Sequence, residues 1–217
     1  MSTAARRLQW TAAIGSAVVM AVGVAFLDWP TFTVLALYWL ENVIIGGFTA
    51  LRILAAGART ERYGESLAAT AFFCVHYGLF CAAHGIFVAT LFGGIRPLAS
   101  ASDPLFLMIG RIAGDRTGVL LVVVMVVAAA FDAWRAMASL DAEDAKAVRS
   151  IMTEPYGRIV VLHVVLIAGG FLMAVLHWPS LAALLLVAFK LIYDLVALSR
   201  RREAQLPERA FGVGGSG

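Results

Sequence analysis

An all-α, polytopic integral membrane protein is the fold class this sequence predicts, and three observations predict it. Hydrophobic residues fill 61% of the 217 positions and charged residues only 14%, with a mean hydropathy of +0.87. An ordinary soluble domain carries about 45 to 50% apolar and about 25% charged residues, and a disordered chain carries fewer apolar residues still. The apolar residues run in long unbroken blocks, not in the alternating segments of roughly 10 residues that a membrane β-barrel needs. The basic residues flank these blocks instead of forming one patch, so the pI of about 9.1 reflects topology and not a nucleic-acid partner.

About 20 apolar residues are needed to carry a helix across roughly 30 Å of hydrocarbon, and six blocks qualify. The first runs from about Leu8 to Leu27 and is closed by Asp28, Trp29 and Pro30. The second covers about Thr31 to Leu54, and the third about Ala68 to Phe92. The fourth covers about Gly118 to Met137, the fifth about Ile159 to Trp178, and the sixth about Ser180 to Leu198. Pro30 and Pro179 stand at span entrances, where a missing amide hydrogen removes no helical bond. Residues 1–202 thus read as one transmembrane bundle and residues 203–217, rich in glycine, as a flexible tail.

Positive residues stay on the cytoplasmic side, and 13 of the 17 Lys and Arg residues fall on one side of this arrangement against three on the other. The 13 belong to the N-terminus (Arg6, Arg7), the second loop (Arg52, Arg59, Arg62), the fourth loop (Arg135, Lys146, Arg149, Arg158) and the tail (Arg200, Arg201, Arg202, Arg209). The three are Arg96, Arg111 and Arg116. Both termini are therefore expected in the cytoplasm, in a bacterial inner membrane. Arg6 and Arg7 before an apolar run could also open a secretory signal, but the run is long for one and has no clear A-x-A cleavage site. The fourth loop, from Asp141 to Ile151, reads as a short charged amphipathic helix extending the fourth span. Glu154 to Arg158 reads as a turn with interfacial Tyr and Arg anchors.

A charge at the bilayer centre costs at least about 2.5 to 3.5 kcal/mol, so each ionisable residue inside a span calls for a partner or a task. Glu41, His76, His84, Asp132, His163, Lys190 and Asp194 lie inside the spans, with His177 at an outer boundary. Counting from the outer end of each helix puts His76, Asp132, His163 and Asp194 roughly 20 to 22 Å deep, Glu41 and Lys190 roughly 15 to 17 Å deep, and His84 and His177 near the outer third. Tyr38, Asn42, Thr49 and Arg52 align with Glu41 as a polar stripe on the second helix. Gly46, Gly47, Gly169 and Gly170 are expected to let backbones approach closely.

Four readings follow. Imidazole and carboxylate are standard ligands for zinc and other divalent ions, and His76, His163 and Asp194 at one depth supply three, with Asn42, His84, Asp132 and His177 as outer-shell groups or a second site. An open position on that metal would activate water against a lipid-like substrate, with Glu41 as general base and Lys190 at its level as the other candidate catalytic group. Stepped ionisable groups could instead relay protons or bind a transported ion. His163 and His177, fourteen apart, resemble the paired histidines of membrane b-type cytochromes, and one haem could sit between His76 and His163. Against the relay, Glu41 with Lys190 and Lys190 with Asp194 could simply neutralise one another as buried pairs. The fourth reading is a non-catalytic subunit of a homo-oligomer or larger membrane complex, its aromatics around Tyr38, Trp39, Phe72, Phe73, Tyr77 and Phe80 packing against a partner or lipid. Cys74 and Cys81, roughly 10 Å apart on a helix, cannot be bridged to each other.

The Tyr38-Trp39-Leu40-Glu41-Asn42 stretch, His76-Tyr77-Gly78 with His84, Glu154-Pro155-Tyr156 through His163, and Lys190 with Asp194 together resemble a family of uncharacterised prokaryotic polytopic membrane proteins. The resemblance covers most of the chain from the second span onward. It implies a shared membrane fold and carries no activity with it.

Overall fold

The structure is a computed structural model that describes residues 30–96, 100, 102–138, 147–157, 159–161, 163–164, 167–168, 187–189, 191–192 and 195–196. Every element among them is helical: α1 (Thr31–Arg59), α2 (Tyr63–Phe87, continued by a π-helical turn, Val88–Phe92), α3 (Asp103–Ala113), α4 (Arg116–Ala138) and α5 (Ala147–Thr153). Described residues between 156 and 168 and between 187 and 196 are helical as well. Three of the helices are long and apolar enough to cross a membrane, namely α1, α2 with its π turn, and α4. The first predicted span lies outside the described residues, as do most of the fifth and sixth, together with Lys190, Asp194, His177, Gly169 and Gly170.

α1 outlasts its apolar block by five residues and α2 begins five before its own. A helix does not stop where hydrocarbon ends, because its backbone bonds are internal and the headgroup layer tolerates polar side chains. The two helices form a tight antiparallel hairpin. Thr60 N–H donates to the Ala56 carbonyl at 3.0 Å, Arg62 N–H to Gly57 at 2.9 Å, and Glu61 takes a left-handed φ of 56°. A side chain at Gly57 would place its Cβ 2.0 Å from Ser66 Oγ, so only glycine lets α2 start this close. The Arg59 guanidinium donates to the Met137 carbonyl. A basic side chain thereby satisfies an orphan carbonyl at the end of α4.

The opposite end is closed by irregular structure. Gly94 has φ +60° after the π turn, and the Arg111 guanidinium donates to the Gly93 carbonyl at 3.0 Å while lying 5.7 Å from the centre of the Phe32 ring. The helix α3 here has no counterpart among the predicted spans, since its 11 residues are too few to cross. Its start is nevertheless encoded: Ser100 binds both carboxylate oxygens of Asp103, at 2.8 and 2.9 Å, and Pro104 occupies the first turn. Asp115 accepts the amides of Gly118 and Thr117 at 2.9 and 3.3 Å and so caps α4.

Two buried clusters hold the helices together, one called outer because it lies toward the Thr31 end of α1 and one called inner because it lies toward the Arg59 end. The outer one joins Leu35, Tyr38 and Trp39 of α1 to Val88 of the π turn and to Met108 and Ile112 of α3. The inner one joins Ile53 and Ala56 to Phe73, Tyr77 and Cys81, with Val148 and Ile151 of α5 inserted against them. The fourth loop thus does more than extend the fourth span: its C-terminal part, α5, packs across α1 and α2. Residues 139–146 lie outside the described set. Val75, Leu79, Leu120, Val127 and Trp134 are exposed, and only 6% of the apolar window of α4 is buried within the chain. Apolar surface on that scale suits acyl chains and not water.

Candidate functional site

Site geometry is set by the α1–α2 seam. Tyr38, Asn42 and Thr49 are buried, as the polar stripe requires, while Glu41 and Arg52 are half-buried. The Asn42 amide donates to the Tyr38 carbonyl at 2.8 Å, and the Tyr77 hydroxyl donates to the Asn42 backbone carbonyl at 3.1 Å. Asn42 Oδ1 has no hydrogen-bond partner among the described residues. One helical turn outward, Trp39 Nε1 donates to the Cys81 carbonyl at 2.7 Å and its ring lies against Gly85, where an added Cβ would come within 2.6 Å of it. Gly46 makes a similar close approach to the Tyr77 ring, also 2.6 Å. Gly47 meets nothing within 4 Å and plays no such part.

The histidines divide into two environments. His84 is buried and its Nδ1 stands 2.6 Å from the Phe80 carbonyl, which can only accept. Nδ1 therefore carries the hydrogen, and neutral His84 presents the Nε2 lone pair. That lone pair faces Nδ1 of His163 at 3.1 Å, so the His163 N–H donates to it. The two rings are nearly perpendicular, with centroids 5.2 Å apart. His76, two turns inward on the same helix, has aromatic neighbours instead: it stacks on Phe72 at 5.2 Å, meets the edge of Phe80 at 5.1 Å, and lies 5.8 Å from the Tyr156 ring.

His163 thus meets His84, the residue the depth count leaves in the outer third, and the described residues show no contact between His163 and His76. The reason is visible one loop earlier. The Tyr156 ring packs edge-on against Phe73 and Tyr77 at 6.3 and 5.9 Å, and Pro155 beside it is buried. Burial raises the Tyr156 phenol above its usual range and keeps it neutral. From Tyr156 to His163 and from Tyr77 to His84 there are seven residues each. Two parallel helices that meet at the first pair therefore meet again, two turns on, at the second.

Asp132 is exposed on α4. Among the described residues no three His, Cys, Asp or Glu side chains come together as a metal cluster. What the geometry does supply is one histidine pair, with one member oriented by a backbone carbonyl. Glu154, in the turn before Tyr156, is bound to Arg52 of α1 at 2.9 Å, a contact that joins the stripe to the turn and that spacing alone does not signal.

Over residues 1–210 the sequence matches a family of unknown function, DUF6498. The chain belongs to that family. The match spans nearly the full length, including the stretches around Glu41, His76, His84 and His163. No characterised protein and no solved structure matches. The chemistry must be argued from the side chains themselves.

Proposed function

We propose that the chain crosses a bacterial inner membrane six times with both termini in the cytoplasm, and that it holds a divalent metal, zinc first, at an intramembrane site built on His84 and His163. One observation carries this reading: the facing nitrogens lie 3.1 Å apart while the far nitrogen of His84 is committed to a backbone carbonyl. Two nitrogens bound to one tetrahedral zinc at about 2.0 to 2.1 Å lie roughly 3.3 to 3.4 Å apart. A histidine ligand characteristically donates its other N–H to a carbonyl or carboxylate, which fixes its tautomer and direction. The ion would take the place of the shared hydrogen, with His163 moving its own to Nε2. Asp194 is the first candidate for a third ligand and His177 the next. An open position would serve hydrolysis of a lipid-like substrate, with Glu41 as general base and Lys190 as its charged neighbour in depth.

Elemental analysis of purified protein tests the proposal. The expected result is near-stoichiometric zinc that disappears in a His84→Ala, His163→Ala double variant. Zinc that is substoichiometric and equal in both proteins contradicts it.

The direct imidazole–imidazole bond favours a second reading, a proton relay within a transporter. A proton arriving on His163 can pass along that bond to His84 without either ring leaving its place. Flux in liposomes that depends on an imposed pH gradient, in protein free of metal, would select this reading over the first.

A further inference from the structure

The strongest feature that the metal or relay site does not use lies at the inner end of the seam. There a turn and a short helix pack over the stretch of α2 from Phe73 to Cys81, one turn short of His84. α5 places Val148 and Ile151 against Ile53, Phe73 and Tyr77, and Tyr156 closes on Phe73, His76 and Tyr77. The ion pair of Glu154 with Arg52 at 2.9 Å joins this segment to α1, and its side chains retain 36% and 18% of their exposure. Thr153 donates to the Arg149 and Ser150 carbonyls of its own helix.

We propose that residues 147–156 form a cytoplasmic gate over the intramembrane histidines, latched by Glu154 on Arg52. With the latch closed, Tyr156 and Ile151 seal the seam and water, protons or a metal ion cannot reach His84 from the cytoplasm. When Glu154 releases Arg52, the turn at Pro155 and Gly157 lifts Tyr156 from Phe73 and Tyr77 and opens the path. The side on which the gate opens rests on the topology proposed above. The gate itself does not require that a metal be the occupant.

Cys81 is a built-in reporter, since it is 8% exposed and lies one turn beyond Tyr77 toward His84. In a Cys74→Ala chain it is the sole thiol. The full-length protein in detergent is treated with a hydrophilic maleimide, and the labelling rate of Cys81 is followed. Glu154→Gln should raise that rate by about tenfold or more, the factor expected when a charge-assisted bond no longer holds the closed state. The charge-swapped pair Arg52→Glu, Glu154→Arg should return it toward the parental rate, which separates loss of the latch from loss of the fold. Labelling of Glu154→Gln at the parental rate overturns the gate, and so does a swapped pair that labels as fast as Glu154→Gln. The readout needs no bound metal, so failure of the metal reading leaves it intact.

Discussion

The seam between α1 and α2 has two levels that share one backbone arrangement and differ in chemistry. At the inner level Gly46 admits the Tyr77 ring, and His76 lies among Phe72, Phe80 and Tyr156. At the outer level Gly85 admits the Trp39 ring, and His84 bonds to His163. Both levels thus combine a glycine, a large ring and a histidine, yet only the outer one brings two titratable nitrogens together. Residue type alone does not make a site in a membrane. What matters is whether the neighbouring helix delivers a polar partner or a ring.

The contrast can be broken first at the inner glycine. Gly46→Ala would set a Cβ 2.6 Å from a Tyr77 ring that cannot retreat, because its face stacks on Phe73 at 4.8 Å and its hydroxyl is tied to Asn42. A loss of about 1 to 3 kcal/mol is expected, as for other overpacked cores. Thermal unfolding in detergent should show it as a lowered Tm, with Gly47→Ala, which meets nothing, as the unchanged control. A smaller effect sharpens the comparison. His76→Phe keeps the stacking on Phe72 and Phe80 and should change stability by less than about 0.5 kcal/mol, with metal content unaltered. Loss of metal in that variant would move the site to the inner level.

The helices α1, α2 and α4 were legible in the sequence because twenty apolar residues in a row admit one solution in a bilayer. So was the inward face of α1, where Tyr38, Asn42 and Thr49 recur at helical spacing and prove buried. The helix α3 was harder to read, since eleven residues fall short of a span, although Ser102, Asp103 and Pro104 carry a start signal. The partner of His163 could not be read at all. Depth counting fixes each helix by its outer end alone, whereas the partner of His163 follows from where the turn at the other end docks on α2, beside Phe73 and Tyr77. That docking is a tertiary fact, set by Tyr156 and by the pairing of Glu154 with Arg52. No local pattern in residues 154–163 encodes it.

A cobalt(II) titration of the purified chain, followed by ligand-field absorption, tests most directly whether His84 and His163 together form a metal site. The tetrahedral-type bands are expected in the unaltered chain and in His76→Ala, and they should be lost in His84→Ala and in His163→Ala. Bands that persist in both of those variants, or that never form in the unaltered chain, would contradict the account.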